Sequence, residues 1–237
     1  MRWTAAIATM ALLAGCGTDR TPVIGTGDPQ TRTIPVSRLS GIQVSGPIDV
    51  EVTAGDTQHV EVTAQRELID LVKLKVDNGL WRITTGRPFI TDKPFTVHLT
   101  VPGLNTIIVD GSGNVTSEPV FNSGKTHLEV NGSGGIAIDT LYEKLAEAWI
   151  TGSGSIRLLG ECDRLDARLS GSGDLMGREL CVKEADVELS GSGTMRVDVL
   201  DTLRARISGS GDLHVRGTPF IAERDLTGSG TIEMISE

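Results

Sequence analysis

From about Thr33 onward the chain alternates apolar and polar residues. "IDVEV" (48–52), "HVEVTA" (59–64), "LVKLKV" (71–76) and "FTVHLTV" (95–101) each repeat at every second position, the period of a strand with one buried face. "AGDTQ" (54–58) reads as the turn between the first two runs. "DNG" (77–79) carries an Asn-Gly hairpin signal ahead of "LWRIT" (80–84). Residues 33–108 therefore predict a block of paired strands.

A repeat then begins. Gly-Ser-Gly occurs seven times, at Gly111 and Gly113, Gly132 and Gly134, Gly152 and Gly154, Gly171 and Gly173, Gly191 and Gly193, Gly209 and Gly211, and Gly228 and Gly230. Successive starts are 21, 20, 19, 20, 18 and 19 residues apart. Two residues before each tripeptide stands an apolar residue: Val109, Val130, Ile150, Leu169, Leu189, Ile207 and Leu226. The second residue after it is also apolar, from Val115 and Ile136 through to Ile232. A linker would not hold its flanks in register. A period near 20 with strand-type alternation fits stacked parallel turns, in which one turn cannot bury its own apolar row but a stack can. Each tripeptide is then a corner, where Gly meets a positive φ or a close backbone approach, and the central Ser can form a hydroxyl ladder. The predicted fold is all-β: a parallel β-helix-like coil of about seven Gly-Ser-Gly rungs over 109–237, preceded by the 33–108 block. "TLYEKLAEAW" (140–149) has helix-forming composition and predicts a helical or irregular excursion from one rung.

The first residues look like an export signal. Arg2 precedes the short apolar run "WTAAIATMALLAG" (3–15), which ends in Leu13-Ala14-Gly15-Cys16. This resembles a bacterial lipobox, which implies a signal peptide over 1–15 and acyl chains on Cys16. Gly17 after the Cys favours, by the same resemblance, the outer membrane. Residues 16–32, polar and rich in Gly, Pro and Thr, read as a flexible tether, and 33–237 as one domain. The net charge of −9 repels phosphate backbones and argues against nucleic acid. The expected partners are the membrane, through the lipid, and an envelope, glycan or protein ligand whose identity the sequence does not give.

The blocks "GIQVSGPIDVEVTAGDTQHVEV" (41–62), "LKVDNGLWRI" (74–83), "VHLTVPGLNTIIVDGSGNV" (97–115) and the later Gly-Ser-Gly rungs together resemble the head GIN domain family, described as putative autotransporter adhesins. The resemblance implies a β-helix-like fold on the cell envelope and no established catalytic residue. A lipobox stands here in place of an autotransporter barrel.

Candidate chemistry is sparse. No phosphate-loop spacing occurs, and the four His share no ligand spacing, so no metal or cofactor is expected. Asp174 and Asp212 share an offset two rungs apart, about 9.6 Å, and could be read as an acid/base pair of a polysaccharide lyase or hydrolase. No aromatic or basic neighbour in the sequence supports such a subsite, so solvated corner residues are the preferred reading. Cys162 and Cys181 each lie eleven residues after the residue preceding a corner. That spacing predicts stacked cysteines within disulfide range, with two buried free thiols as the alternative. The expected role is adhesin-like binding or scaffolding without catalysis; the competing class is a carbohydrate-active enzyme. A cleft lined by three or more carboxylates and an aromatic would mark the enzyme.

Overall fold

The computed structural model describes residues 21–118 and 123–235. The leader and Cys16 lie outside them. Strands dominate the described chain, and its one helix, Arg66–Ile69, is four residues long.

The coil starts inside the N-terminal block. Strand Gly41–Ser45 turns through Gly46 and continues as Asp49–Ala54. Thr106–Gly111 lies parallel on the first, with Ile42 beside Ile107 and Val44 beside Val109; Asn114–Ser117 lies parallel on the second. Lys125–Gly132 and the long strands Gly135–Gly152, Ser155–Gly171, Asp174–Gly191 and Thr194–Gly209 then stack turn upon turn, all in parallel. The first glycines of the seven tripeptides form one column in unbroken register. Gly46 precedes that column: its N–H donates to the Asp110 carbonyl, and its own carbonyl accepts from Gly113. The sequence hid this earlier corner because Ser45-Gly46-Pro47 replaces the tripeptide.

The apolar positions that flank each corner form the core. Val109, Val130, Ile150, Leu169, Leu189 and Ile207 point inward, as do Val115, Ile136, Ile156, Leu175, Met195 and Leu213, and all are buried. Each such side chain contributes about 1.5–3 kcal/mol by leaving water.

The two glycines of a corner are required for different reasons. Gly171 has φ +130°, a region L side chains rarely adopt. Gly173 has no such angle, but a Cβ there would lie 2.3 Å from the Gly154 carbonyl oxygen of the preceding turn. The exposed Ser172 between them bonds through its backbone, its N–H donating to Gly152 O at 2.9 Å. No hydroxyl ladder forms: among the described residues no bond joins one corner Ser hydroxyl to the next. Backbone bonds between turns occupy that role.

Four other expectations are corrected. The stretch 140–149 is extended throughout, and its only irregularity is one extra residue between Ile138 and Leu141. Ladders on both sides, with Ala146, Ala148 and Ile150 packed inward, override its helix propensity. The runs 48–52 and 59–64 do not pair as a hairpin. Thr96–Val101 lies between them, parallel to Asp49–Ala54 and antiparallel to His59–Ala64. The tether is shorter than expected, because Val23–Ile24 pairs with Phe89–Ile90 and Gln30–Thr33 pairs with 61–64. Cys162 and Cys181 are not neighbours in register. The turn over 155–171 has one residue fewer than the next, between Arg157 and Leu159, so Cys162 lies beside Val182 and Cys181 beside Glu161. The hairpin at Asn78-Gly79 forms as the sequence indicates, with φ +51° and +80° at its tip and Val76 opposite Trp81.

The first end of the coil is closed by the antiparallel strands, by Arg66–Ile69 and by the small sheet of Val23–Ile24 with Phe89–Ile90, over buried Leu68, Trp81 and Phe95. The last turn leaves Leu226 and Met234 partly exposed. Gly173→Ala is expected to cost about 1–3 kcal/mol, because the new Cβ has a rigid carbonyl in its way. Ser172→Ala should stay within about 0.5 kcal/mol. Urea unfolding of both variants checks the difference.

Candidate functional site

The strands that run into the corners present a flat outer sheet face. Three outward columns cross it, set by the parallel register. One holds His127, Glu147, Asp166 and Asp186; the next holds Glu129, Trp149, Arg168, Glu188 and Arg206; the third, beside the corners, holds Asn131, Thr151, Ser170, Ser190 and Ser208. Successive members are one strand spacing apart, about 4.8 Å, so neighbouring side chains touch.

Trp149 stands in the middle of this face. The Arg168 guanidinium carbon lies 5.2 Å from its ring centroid, a cation–π contact. His127 meets the ring edge-on, with centroids 4.7 Å apart at 88°. The Trp149 Nε1–H is buried and has no acceptor among the described residues, an unusual state for an indole. Beside the ring lies an open depression of about 330 Å³, lined by Trp149, Thr151, Arg168, Ser170, Glu188 and Ser190.

His127 is clamped between carboxylates. Its Nδ1 is 3.1 Å from Glu147 Oε2 and its Nε2 is 3.1 Å from Glu129 Oε2. Asn131 Nδ2 donates to Glu129 Oε1 at 2.7 Å and to Asp110 Oδ1 at 3.0 Å. Lys125 Nζ lies 2.7 Å from Glu147 Oε1. Partial burial acts to raise the Glu147 carboxyl, but the Lys125 ammonium and His127 outweigh it and hold it below the usual carboxylate range. These acids are thus committed to neighbours that fix the ring of His127 against Trp149.

The opposite edge of the coil holds both cysteines. Cys162 is buried, Cys181 is half-buried, and both are free thiols. Burial first, and then Asp163, Cys181 and Glu143, push the Cys162 thiol up to about 12. Burial and the nearby Asp198 and Glu161 also raise Cys181. Glu143 accepts from the Ser123 N–H at 3.0 Å and from Thr126 Oγ1 at 3.1 Å through one oxygen; the other is buried without a partner among the described residues. An environment that disfavours thiolate does not build a nucleophile.

The sequence-derived candidates fall on scaffold positions. The fourteen corner glycines form the stacked edge. Asp174 and Asp212 lie in one column with Thr194 between them, and Asp212 is engaged by Thr231 Oγ1 at 2.6 Å. Trp149, Arg168 and His127 escaped the sequence reading. Trp149 sat in the stretch read as helical, yet counting back from the corners places it at the same offset as Arg168 and Glu188. The structure thereby brings an aromatic and a basic residue together, but the depression beside them includes neither Asp174 nor Asp212. Among the described residues no three His, Cys, Asp or Glu side chains converge as metal ligands.

Residues 38–219 match the family model described as "Putative auto-transporter adhesin, head GIN domain". The chain belongs to the head GIN domain family. Solved structures share the architecture. A putative adhesin from Bacteroides fragilis superposes with a TM-score of 0.80 at 19% identity, covering 90% of this chain and 100% of that one. A putative adhesin from Parabacteroides distasonis gives 0.72 at 26% identity, covering 91% and 100%. A putative lipid binding protein from the same species gives 0.71 at 23%, again covering 91% and 100%. No curated protein matches the chain. Within this head GIN domain the family match spans the whole Trp149 face and both cysteines.

The thiols offer a direct check on register. At pH 8 a thiol with a pKa of about 12 is roughly a thousandfold less ionised than an ordinary one near 8.5. In the soluble domain lacking Cys16, iodoacetamide is expected to alkylate Cys181 first and Cys162 only after denaturation, with two alkyl groups added in the absence of reductant. Intact mass and peptide mapping read both steps.

Proposed function

We propose that this head GIN domain is a lipid-anchored, adhesin-like protein of the cell envelope that binds saccharide on the Trp149 face and does no chemistry there. The observation that carries the reading is the aromatic platform itself: Trp149 held by Arg168 and His127, with a hydroxyl column at its side. A sugar ring has an apolar face that stacks on an indole and a rim of hydroxyls that exchange hydrogen bonds with Thr151, Ser170, Arg168 and Glu188. The depression is open, and Glu188 is the one carboxylate lining it. Glu129 and Glu147, nearby, are engaged by His127 and its neighbours. Three carboxylates and an aromatic instead line a second depression, beside the cysteines: Glu143, Glu161, Asp163 and Tyr142. Two of those acids are committed to neighbours, Asp163 to Lys183 Nζ at 2.7 Å and Glu143 to Ser123 and Thr126, which favours binding over catalysis and leaves a carbohydrate-active enzyme as the competing reading at that depression.

The adhesin and lipid-binding descriptions of the solved relatives support a binding role at an envelope surface. Outer-membrane anchoring rests on the Cys16 motif.

Trp149→Ala is expected to reduce binding to glycan-array ligands at least tenfold. The substitution leaves the inward columns untouched, so thermal unfolding should change little. Binding that is unchanged in a folded Trp149→Ala protein would sink the saccharide reading. Cys16→Ser is expected to move the protein from the membrane to the soluble fraction, and the intact mass of membrane-extracted wild type should include acyl chains. An unmodified Cys16 would remove the anchor.

A further inference from the structure

We propose that the closed first end of the coil is a membrane-seating surface whose partner is the lipid bilayer, an inference that rests on acylation of Cys16. Ile24 and Ile90 are register neighbours on the small two-stranded sheet, and they are 63% and 56% exposed. On the neighbouring segment Leu74, 43% exposed, stands between Lys73 and Lys75. Paired isoleucines facing water are costly, and beside Leu74 they mark a surface that something apolar covers.

Cations are frequent in the segments that carry them. Lys73 Nζ lies against Gly86, and the Arg87 guanidinium donates to the Thr21 carbonyl at 3.0 Å. Lys93 follows Ile90 closely, its N–H bonded to Thr91 Oγ1 at 3.0 Å. Residues 65–93 hold six Lys or Arg against four Asp or Glu, in a chain whose net charge is −9. Apolar side chains flanked by cations suit the interface of an anionic bilayer.

Chain length selects the occupant. Val23 is held by its N–H to Pro88 O at 2.9 Å, and Gly25 by its N–H to Ile90 O at 3.0 Å. Only seven residue steps separate Val23 from Cys16, and a fully extended chain of that length spans about 25 Å at most. An acyl group in the bilayer therefore keeps this end of the coil close to the membrane. Two further groups of exposed apolar side chains lie elsewhere: Tyr142 and Leu200 on the side of the coil, in a depression with Glu143, Glu161 and Asp163, and Phe220 and Leu226 in the last turn. Seven corner steps of about 4.8 Å place that turn about 34 Å away, farther than the short link to Cys16 reaches. Seated this way, the coil projects from the membrane and the Trp149 face stands clear of it.

The test uses full-length acylated protein in vesicles of phosphatidylethanolamine and phosphatidylglycerol, with acylation verified by intact mass. In a Cys181→Ser background, Ile90→Cys carries a fluorophore, and Thr227→Cys carries the same label in a second protein. Iodide quenching at residue 90 is expected to fall at least threefold below that at residue 227, and Ile24→Asp should restore it. Equal quenching at the two sites in acylated protein overturns the seat and leaves the anchor standing. Protection at residue 90 that follows the protein-to-lipid ratio assigns the patch to a second copy and also overturns it. An unacylated Cys16 removes both the anchor and the seat built on it.

Discussion

Everything in this coil depends on how closely successive backbones approach at one edge. The second glycine of each tripeptide leaves no room for a Cβ: the space is filled by a carbonyl oxygen of the preceding turn, 2.0–2.5 Å from where that carbon would stand. That approach brings Gly173 under Gly154 and Gly193 under Gly173, and it locks the turns at strand spacing. Once the edge is locked, the apolar residues beside it have no freedom of register. Leu169 must meet Leu189, and Leu175 must meet Met195. The core is a consequence of the corner as much as its cause.

The same lock writes the outer surface. Side chains at one offset from the corner fall into a column, so residues about 20 apart in sequence become touching neighbours. Trp149 and Arg168 meet for this reason, and so do His127 and Glu147. The opposite edge is held less strictly. Turns there differ by one residue between Ile138 and Leu141 and between Arg157 and Leu159, and by three after Gly177. These irregularities separate Cys162 from Cys181, and they also fold the chain around buried Glu143. A coil of this type thus carries a rigid edge for assembly and a variable one where side chains change position from turn to turn.

The two ends differ in how they finish the core. The first is closed by strands running against the coil direction, and this end is where the chain leads back toward Cys16. The last turn keeps an open strand edge. There Arg224 stands in register with inward-facing Ala205, and an inward charge at an edge discourages another strand from continuing the sheet. A closed first end and a guarded last end leave the outer faces of the turns, with Trp149 among them, as the surface on which the coil presents its side chains.

The sequence by itself determined the coil. Seven tripeptides with apolar residues at fixed offsets leave one way to bury those residues, and the structure places Val109, Val130, Ile150, Leu169, Leu189 and Ile207 in that column. The Asn78-Gly79 hairpin was equally legible, because positive φ at two adjacent positions is a local property of those residues. Tertiary structure decided what local chemistry could not express. Helix propensity at 140–149 gave way because both neighbouring turns offered ladders. The cysteine offset depended on a single missing residue on the irregular edge, which counting from one corner alone does not detect. Strand order in the first block, with Thr96–Val101 inserted between two runs that looked like a hairpin, followed from the pairing of edges distant in sequence. The candidate site was hidden for the same reason: Trp149, Arg168 and His127 carry no shared motif, and only the stacking of three turns brings them together.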